Sequence, residues 1–292
     1  MKIPRPDSFA LWGVLRYTNV MPPVIHLGIA VSAVRPPFTY AALDADRRVV
    51  ALARGSLADA YAYAAGQNAA WVAISAPSRP SADYMSRAEV RAQFTPPPPA
   101  GRHLGLRVAE YELQRRGLEV TQTPPHPQDS PVWVRRGFAL YQNLEQAGYQ
   151  PYPAAEAARQ WLETHTESVF AALLGRLPLP AHTLEGRLQR QLALFEQRLP
   201  VADPMDFFEE ITRHRLLQGV LPLNLIHSAA ELSALAAALV AWMAAQAPER
   251  MVRFGVPAEG EIVLPASDFF HTPPGPAQPA LALFQTADAG PE

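Results

Sequence analysis

The sequence predicts an α/β protein built on a mixed sheet, and three observations carry that expectation. Val24–Ser32, Phe38–Asp44 and Arg47–Arg54 are short segments rich in β-branched or aromatic residues, separated by the turn-like strings "AVRPP" and "DADR", as in a three-strand meander. Leu57–Ala65 then reads as a helix capped by Ser56 and stopped at Gly66, followed by a fourth strand, Ala69–Ser75, ended by Pro77. A helix between them lets this fourth strand run parallel to the first. Finally, Arg102–Arg116, Val134–Gln146, Leu184–Arg198 and Asp206–Gln218 carry apolar residues at helical spacing.

Taken in order, the first strand has two unlike faces. Ile25, Leu27, Ile29 and Val31 make one apolar face, and His26, Gly28, Ala30 and Ser32 make the other from small or polar side chains. The second face suits either the floor of a cleft or the close approach of a packed helix. On the fourth strand the same parity groups Trp71, Ala73 and Ser75. Residues 78–101, with consecutive prolines at Pro96–Pro99, predict an irregular insertion that lines or covers something, and "TPPHPQDSP" at 123–131 predicts another. Gly117 stops the helix between them, and Leu118–Thr121 reads as a further short strand. "WLETHTESVF" at 161–170 fits strand and helix alike. Ser228 followed by Glu231 is a capping box that starts an apolar helix running to about Gln246. Its weakly polar run, Leu232 to Ala245, is too short for a membrane span and predicts a buried helix. The expected organisation is one domain over 1–270 and a loose proline-rich tail over 271–292.

Composition narrows the chemistry. A chain of 292 residues with 49% hydrophobic content can bury a sizeable core. The absence of cysteine excludes disulfides, thiolate metal sites and cysteine nucleophiles. A formal charge of −2 gives no overall pull toward nucleic acid; with Lys2 the only lysine, phosphate binding would need a local arginine patch. The opening "MKIPRPDSFALWGVLRY" lacks the apolar stretch of a secretory signal, so a cytoplasmic location without membrane attachment is expected. The sequence shows no phosphate-cradling glycine loop, no H-E-x-x-H and no nucleophile elbow.

The candidate site residues each have two readings. Glu163, His165 and Glu167 share one face if extended, forming a remnant metal or acid–base cluster; otherwise they are a solvated edge. Arg187 and Arg190 lie three apart on a helix and either clamp an anion or pair with glutamates, Glu185 being near in sequence. Arg107 and Glu110 offer the same choice, with the ion pair the simpler one. His182 reads as a loop residue, and Glu259 and Glu261 as exposed residues of a glycine-rich turn.

Seven strings, in this order, carry a resemblance: "GIAVSA" at 28–33, "WVAISAP" at 71–77, "RVAEYELQRRGLEV" at 107–120, "LETHTESVFAALLGRLPLP" at 162–180, "TLEGRLQRQLALF" at 183–195, "IHSAAELSALAAALVAW" at 226–242 and "GVPAEGEIVLP" at 255–265. The chain resembles the predicted-nuclease family with an RNase H-like fold, domain of unknown function family 429. The resemblance implies a mixed sheet with the first strand central, the first and fourth strands parallel neighbours, and a C-terminal helix packed near their ends. It also implies phosphodiester cleavage by two divalent cations held among clustered carboxylates. The family carries aspartate at the positions matching Ala30, Ser75, Ser233 and Val256, and this chain carries none of the four. Alanine and valine offer no ligand, and a serine hydroxyl is a weak, neutral one. Thr166 replaces the family's proline and His182 its lysine, while Glu163, His165, Thr183, Glu185, Gly186 and Arg187 remain.

The expectation is therefore a non-catalytic binding or interaction module with no metal cofactor. Its partner would be a nucleic acid strand held by Arg107, Arg187 and Arg190, or another protein. One alternative is a Mg- or Mn-dependent nuclease or phosphodiesterase that uses Glu163 with other acids from the insertion or the Glu259–Glu261 turn. Another is a structural subunit docking through its Leu232–Met243 face or its proline run.

Overall fold

The computed structural model describes residues 24–271. β1 (Ile25–Val31), β2 (Phe38–Leu43) and β3 (Val49–Gly55) form the expected antiparallel meander. α1 (Leu57–Ala65) starts where Ser56 and Asp59 cap each other, the Ser56 N–H donating to the Asp59 carboxylate at 2.8 Å. It carries the chain over to β4 (Ala70–Ser75), which runs parallel to β1 with Ser75 paired to Ala30.

The insertion after β4 holds a 3-10 turn at Tyr84–Ser86 and the short α2 (Ala88–Arg91) before α3 (Val108–Gln114). The helix expected from Arg102 begins six residues later, because Gly101 and His103 take left-handed backbone angles that interrupt it. Leu118–Thr121 forms no strand. β6 (Arg159–Glu163) pairs with β4 on one side and with β5 (Gln150–Pro151) and β8 (Gly260–Pro265) on the other. α4 (Val132–Gln146) precedes β5, and α5 (Thr166–Leu174) follows β6, so the ambiguous "WLETHTESVF" is strand first and helix second. α6 (Leu184–Glu196) matches its expected span. The single helix expected over Asp206–Gln218 is instead two short ones, α7 (Asp206–Glu209) and α8 (Arg213–Leu217), since the Thr212 hydroxyl accepts from Arg215 N–H and starts a new helix. α9 (Ala229–Gln246) begins at the Ser228–Glu231 box as expected, and β7 (Met251–Val256), β8 and α10 (Asp268–His271) complete the described chain.

The strand order is β3-β2-β1-β4-β6-β8-β7, with β1, β4, β6 and β8 parallel. Both faces are covered. Leu27, Ile29, Val72 and Ile74 pack with Ala60, Leu140 and Leu144 of α1 and α4, and Ala30, Ala73 and Leu162 pack with α5, α6 and α9. The small face of β1 is there for α9: a Cβ on Gly28 would lie 2.0 Å from Ala238 N and 2.1 Å from Ala234 O, so only glycine lets the helix backbone sit this close. α9 is long and apolar enough to cross a membrane by length and composition, yet Leu232, Leu235 and Leu239 are at most 1% exposed inside this core. The Leu232–Met243 face is thus internal packing and not a docking surface, a correction to the structural-subunit alternative. The opening segment and the tail expected from 271 lie outside the described residues, apart from His271, which ends α10.

Candidate functional site

Parallel strands leave their carboxyl ends in one row, and the chain turns away there into loops and helix starts, which makes that row the usual place for a ligand. Here a cleft of about 380 Å³ opens at the ends of β1, β4 and β6. Ser32 and Ala33, Ser75 to Pro77, and Glu163 to Thr166 come from the three strand ends; Glu119 to Thr121 and Trp133 close the sides. Two side-chain contacts shape its rim. The Ser75 and Thr166 hydroxyls lie 3.3 Å apart, and Arg136 of α4 donates to the Ser32 carbonyl at 2.8 Å.

Beneath the cleft is a buried ionic cluster. Arg107, 1% exposed, donates through Nε to Glu110 at 2.8 Å, through Nη2 to Glu163 at 2.5 Å, and through Nη1 to Glu163 at 3.0 Å and the Glu259 carbonyl at 2.8 Å. Glu163 also accepts from the Ser78 N–H and hydroxyl, both at 2.7 Å. Glu110 accepts from the Thr123 hydroxyl at 2.5 Å. The Glu259 carboxylate accepts from Ala82 N–H at 2.8 Å and from Val108 N–H, the first amide of α3, at 2.9 Å. Burial alone would favour a neutral guanidine, but Glu163 and then Glu110 outweigh it and hold the Arg107 pKa above its ordinary value. Gly260 lies against the cluster with φ +87°, where a Cβ would fall 2.3 Å from Ser78 Oγ and 2.9 Å from Glu163 Oε2.

His165 is the N-cap residue of α5 and lines the cleft. Its Nδ1 is 2.7 Å from Ser168 Oγ. Burial lowers its pKa to about 4, with Glu163 opposing, so the ring is neutral at pH 7.

Glu163, His165 and Glu167 therefore do not share an extended face. The strand ends at Glu163, which is 2% exposed and ion-paired, so the solvated-edge reading also fails; Glu167 sits in the first turn of α5 and pairs with Arg190. The expected Arg107–Glu110 pair is present, and Glu163 is a second partner that local spacing could not reveal. Arg187 and Arg190 do not form a clamp. Arg190 is 1% exposed and donates through Nη1 and Nη2 to Glu167 and to the Leu179 and Gly186 carbonyls, its buried Nε having no hydrogen-bond partner among the described residues and Glu185 taking no part, while Arg187 donates to the His227 and Ile226 carbonyls. Glu259, expected in solvent, is fully buried because it caps α3 and anchors the insertion; Glu261 pairs with Arg253. His182 lies exposed in a turn as read.

Of the four positions matched to family aspartates, Ala30 and Ser75 stand side by side in the sheet, and Ser75 enters the cleft wall. Ser233, half-buried on α9, and Val256, packed against Met85, Leu106 and Tyr111, do not line it. Among the described residues, no group of three or more His, Asp or Glu side chains is placed to hold a metal ion. Comparison with protein-family models, curated proteins and solved structures finds no match to this chain.

Proposed function

We propose that this chain is a non-catalytic binding module on an RNase H-like scaffold, related to the predicted-nuclease family it resembles, and that the cleft at the strand ends holds a partner without cleaving it. The observation that carries this is the state of Glu163. Arg107 engages both of its oxygens and Ser78 adds two donors to Oε2, so the one family-like carboxylate at the strand ends already has a guanidinium as its cationic partner. The strand order, with β1 flanked by β2 and parallel β4 and covered by α9, supports the scaffold assignment.

The residues present do not fit a pair of divalent cations. Ala30 has no donor, the Ser75 hydroxyl is neutral and paired with Thr166, and Glu163 is held in a buried ion pair with Arg107. Nor do they suit a polyanion. Arg107 is ion-paired with Glu163, Arg187 and Arg190 do not line the cleft, and His165 is neutral, so a protein segment making hydroxyl and apolar contacts with Ser32, Ser75, Thr121, Thr166 and Trp133 fits the cleft better than a nucleic acid strand.

The test is calorimetric titration with Mn²⁺ beside cleavage assays on single- and double-stranded DNA and RNA. No saturable metal binding and no cleavage are expected. Metal-dependent cleavage that Glu163→Gln abolishes would establish the nuclease alternative instead.

A further inference from the structure

The cleft continues past the strand ends. Glu119, Val120 and Thr121 line it from one segment, and Thr164, His165 and Thr166 from another. A second cavity, of about 530 Å³, is walled by the adjoining residues of the same two segments, Gly117 to Glu119 and Glu167, and closed by residues 177–182. The two cavities share Glu119 and follow one another between the same walls, so they are successive parts of one groove.

The wall at 118–121 has the pattern of a strand without its pairing. Leu118 and Val120 pack on the core while Glu119 and Thr121 are exposed, an alternation of period two. Among the described residues, the N–H and C=O groups of residues 119–122 have no hydrogen-bond partner. An unpaired backbone beside a groove is a template for an extended peptide to add as a further strand, main-chain hydrogen bonds giving affinity and alternate side chains giving selectivity.

Charge says which peptide. The lining of the groove holds four carboxylates, Glu110, Glu119, Glu163 and Glu167, against one guanidinium, Arg107. Glu167 is offset by Arg190, and Glu110 and Glu163 share Arg107, but Glu119 is exposed and has no side-chain partner among the described residues. The groove is therefore negative where its two parts meet. Leu177 and Leu179, 41% and 39% exposed, give the second part an apolar wall. We propose that the groove binds an extended segment of a partner protein, added as a strand along residues 119–122, with a basic side chain at Glu119 and an apolar one against Leu177 and Leu179. This rests on the reading of the cleft as a non-catalytic protein-binding site and specifies what enters it.

Panning a phage library of random linear peptides on the full chain tests it, followed by fluorescence-anisotropy titration of the selected peptides and hydrogen-exchange mass spectrometry of their complexes. The selected peptides should share a basic residue near an apolar one, and binding should slow exchange of the amides at 119–122. Glu119→Lys should bind them on the order of ten-fold more weakly, since like charges then meet in the groove. Leu177→Asp should weaken binding as well, with far-ultraviolet dichroism confirming that both variants are folded. Peptides that protect 164–166 but leave 119–122 exchanging as before, or that bind Glu119→Lys as tightly as wild type, overturn strand addition and leave the cleft reading in place. A library that yields no binder overturns the proposal outright. Metal-dependent cleavage of nucleic acid would overturn the underlying reading, and the proposal with it.

Discussion

At the scale of single residues, Arg107 is the side chain on which most depends. It pairs with two buried carboxylates, and removing it strands them in a medium that solvates them poorly. Arg107→Met is expected to lower the unfolding free energy by about 3–5 kcal/mol in urea titration. Adding Glu163→Met should restore part of that loss; strict additivity of the two changes would show that the pair is not coupled. Gly260→Ala should cost at least ~1–2 kcal/mol from its left-handed backbone alone, before the collision with Ser78 Oγ. His165 gives a pH signature. Its folded pKa of about 4 lies below the 6.5 of the free side chain, so the native state binds fewer protons in between. Stability should be complete above pH 6.5 and fall as the pH drops toward 4, by at most about 3 kcal/mol from this group. His26, whose pKa is likewise lowered by burial, acts in the same direction. Urea titrations from pH 7.5 to 4 on wild type and His165→Asn check it: the variant should show a shallower slope, whereas an unchanged slope would remove His165 from the account.

Among elements, the contact of α9 with β1 decides the core. Gly28→Ala would drive a methyl group into the α9 backbone near Ala234 and Ala238, and a loss of several kcal/mol or failure to fold is expected in thermal melts. Ser228→Ala, which removes only the cap, should cost about 1 kcal/mol. These elements were legible because their signals are local: alternation in β1, the Ser56 and Ser228 caps, and the glycine stops after α1 and α3 all act within a few residues. The split between α7 and α8 was missed because helical periodicity continues across Thr212 and only the cap geometry reveals the break. At the candidate site, the Arg107–Glu110 pair was readable from its spacing. Burial of Glu163 and Glu259 was not, because their partners Ser78, Ala82 and Val108 are brought to them by the sheet and the insertion, and nothing in a neighbouring string announces it.

On the scale of the whole molecule, the cleft is a product of chain order. Three parallel strands place Ala30, Ser75 and Glu163 at one end of the sheet, and the insertion after β4 is fastened over that end by Arg107 and Glu259. Those fastenings join positions far apart in the chain, 56 residues for Arg107 with Glu163 and 177 for Ala82 with Glu259. Closing such long loops is entropically unfavourable until β1, β4, β6 and β8 are already in register, so the ionic cluster is expected to form late in folding. Interactions absent from the transition state govern how fast a protein comes apart, with little influence on how fast it forms. Arg107 is thus expected to act as a brake on unfolding: in stopped-flow urea jumps Arg107→Met should shorten the lifetime of the closed cleft far more than it slows the rate at which the chain first reaches it.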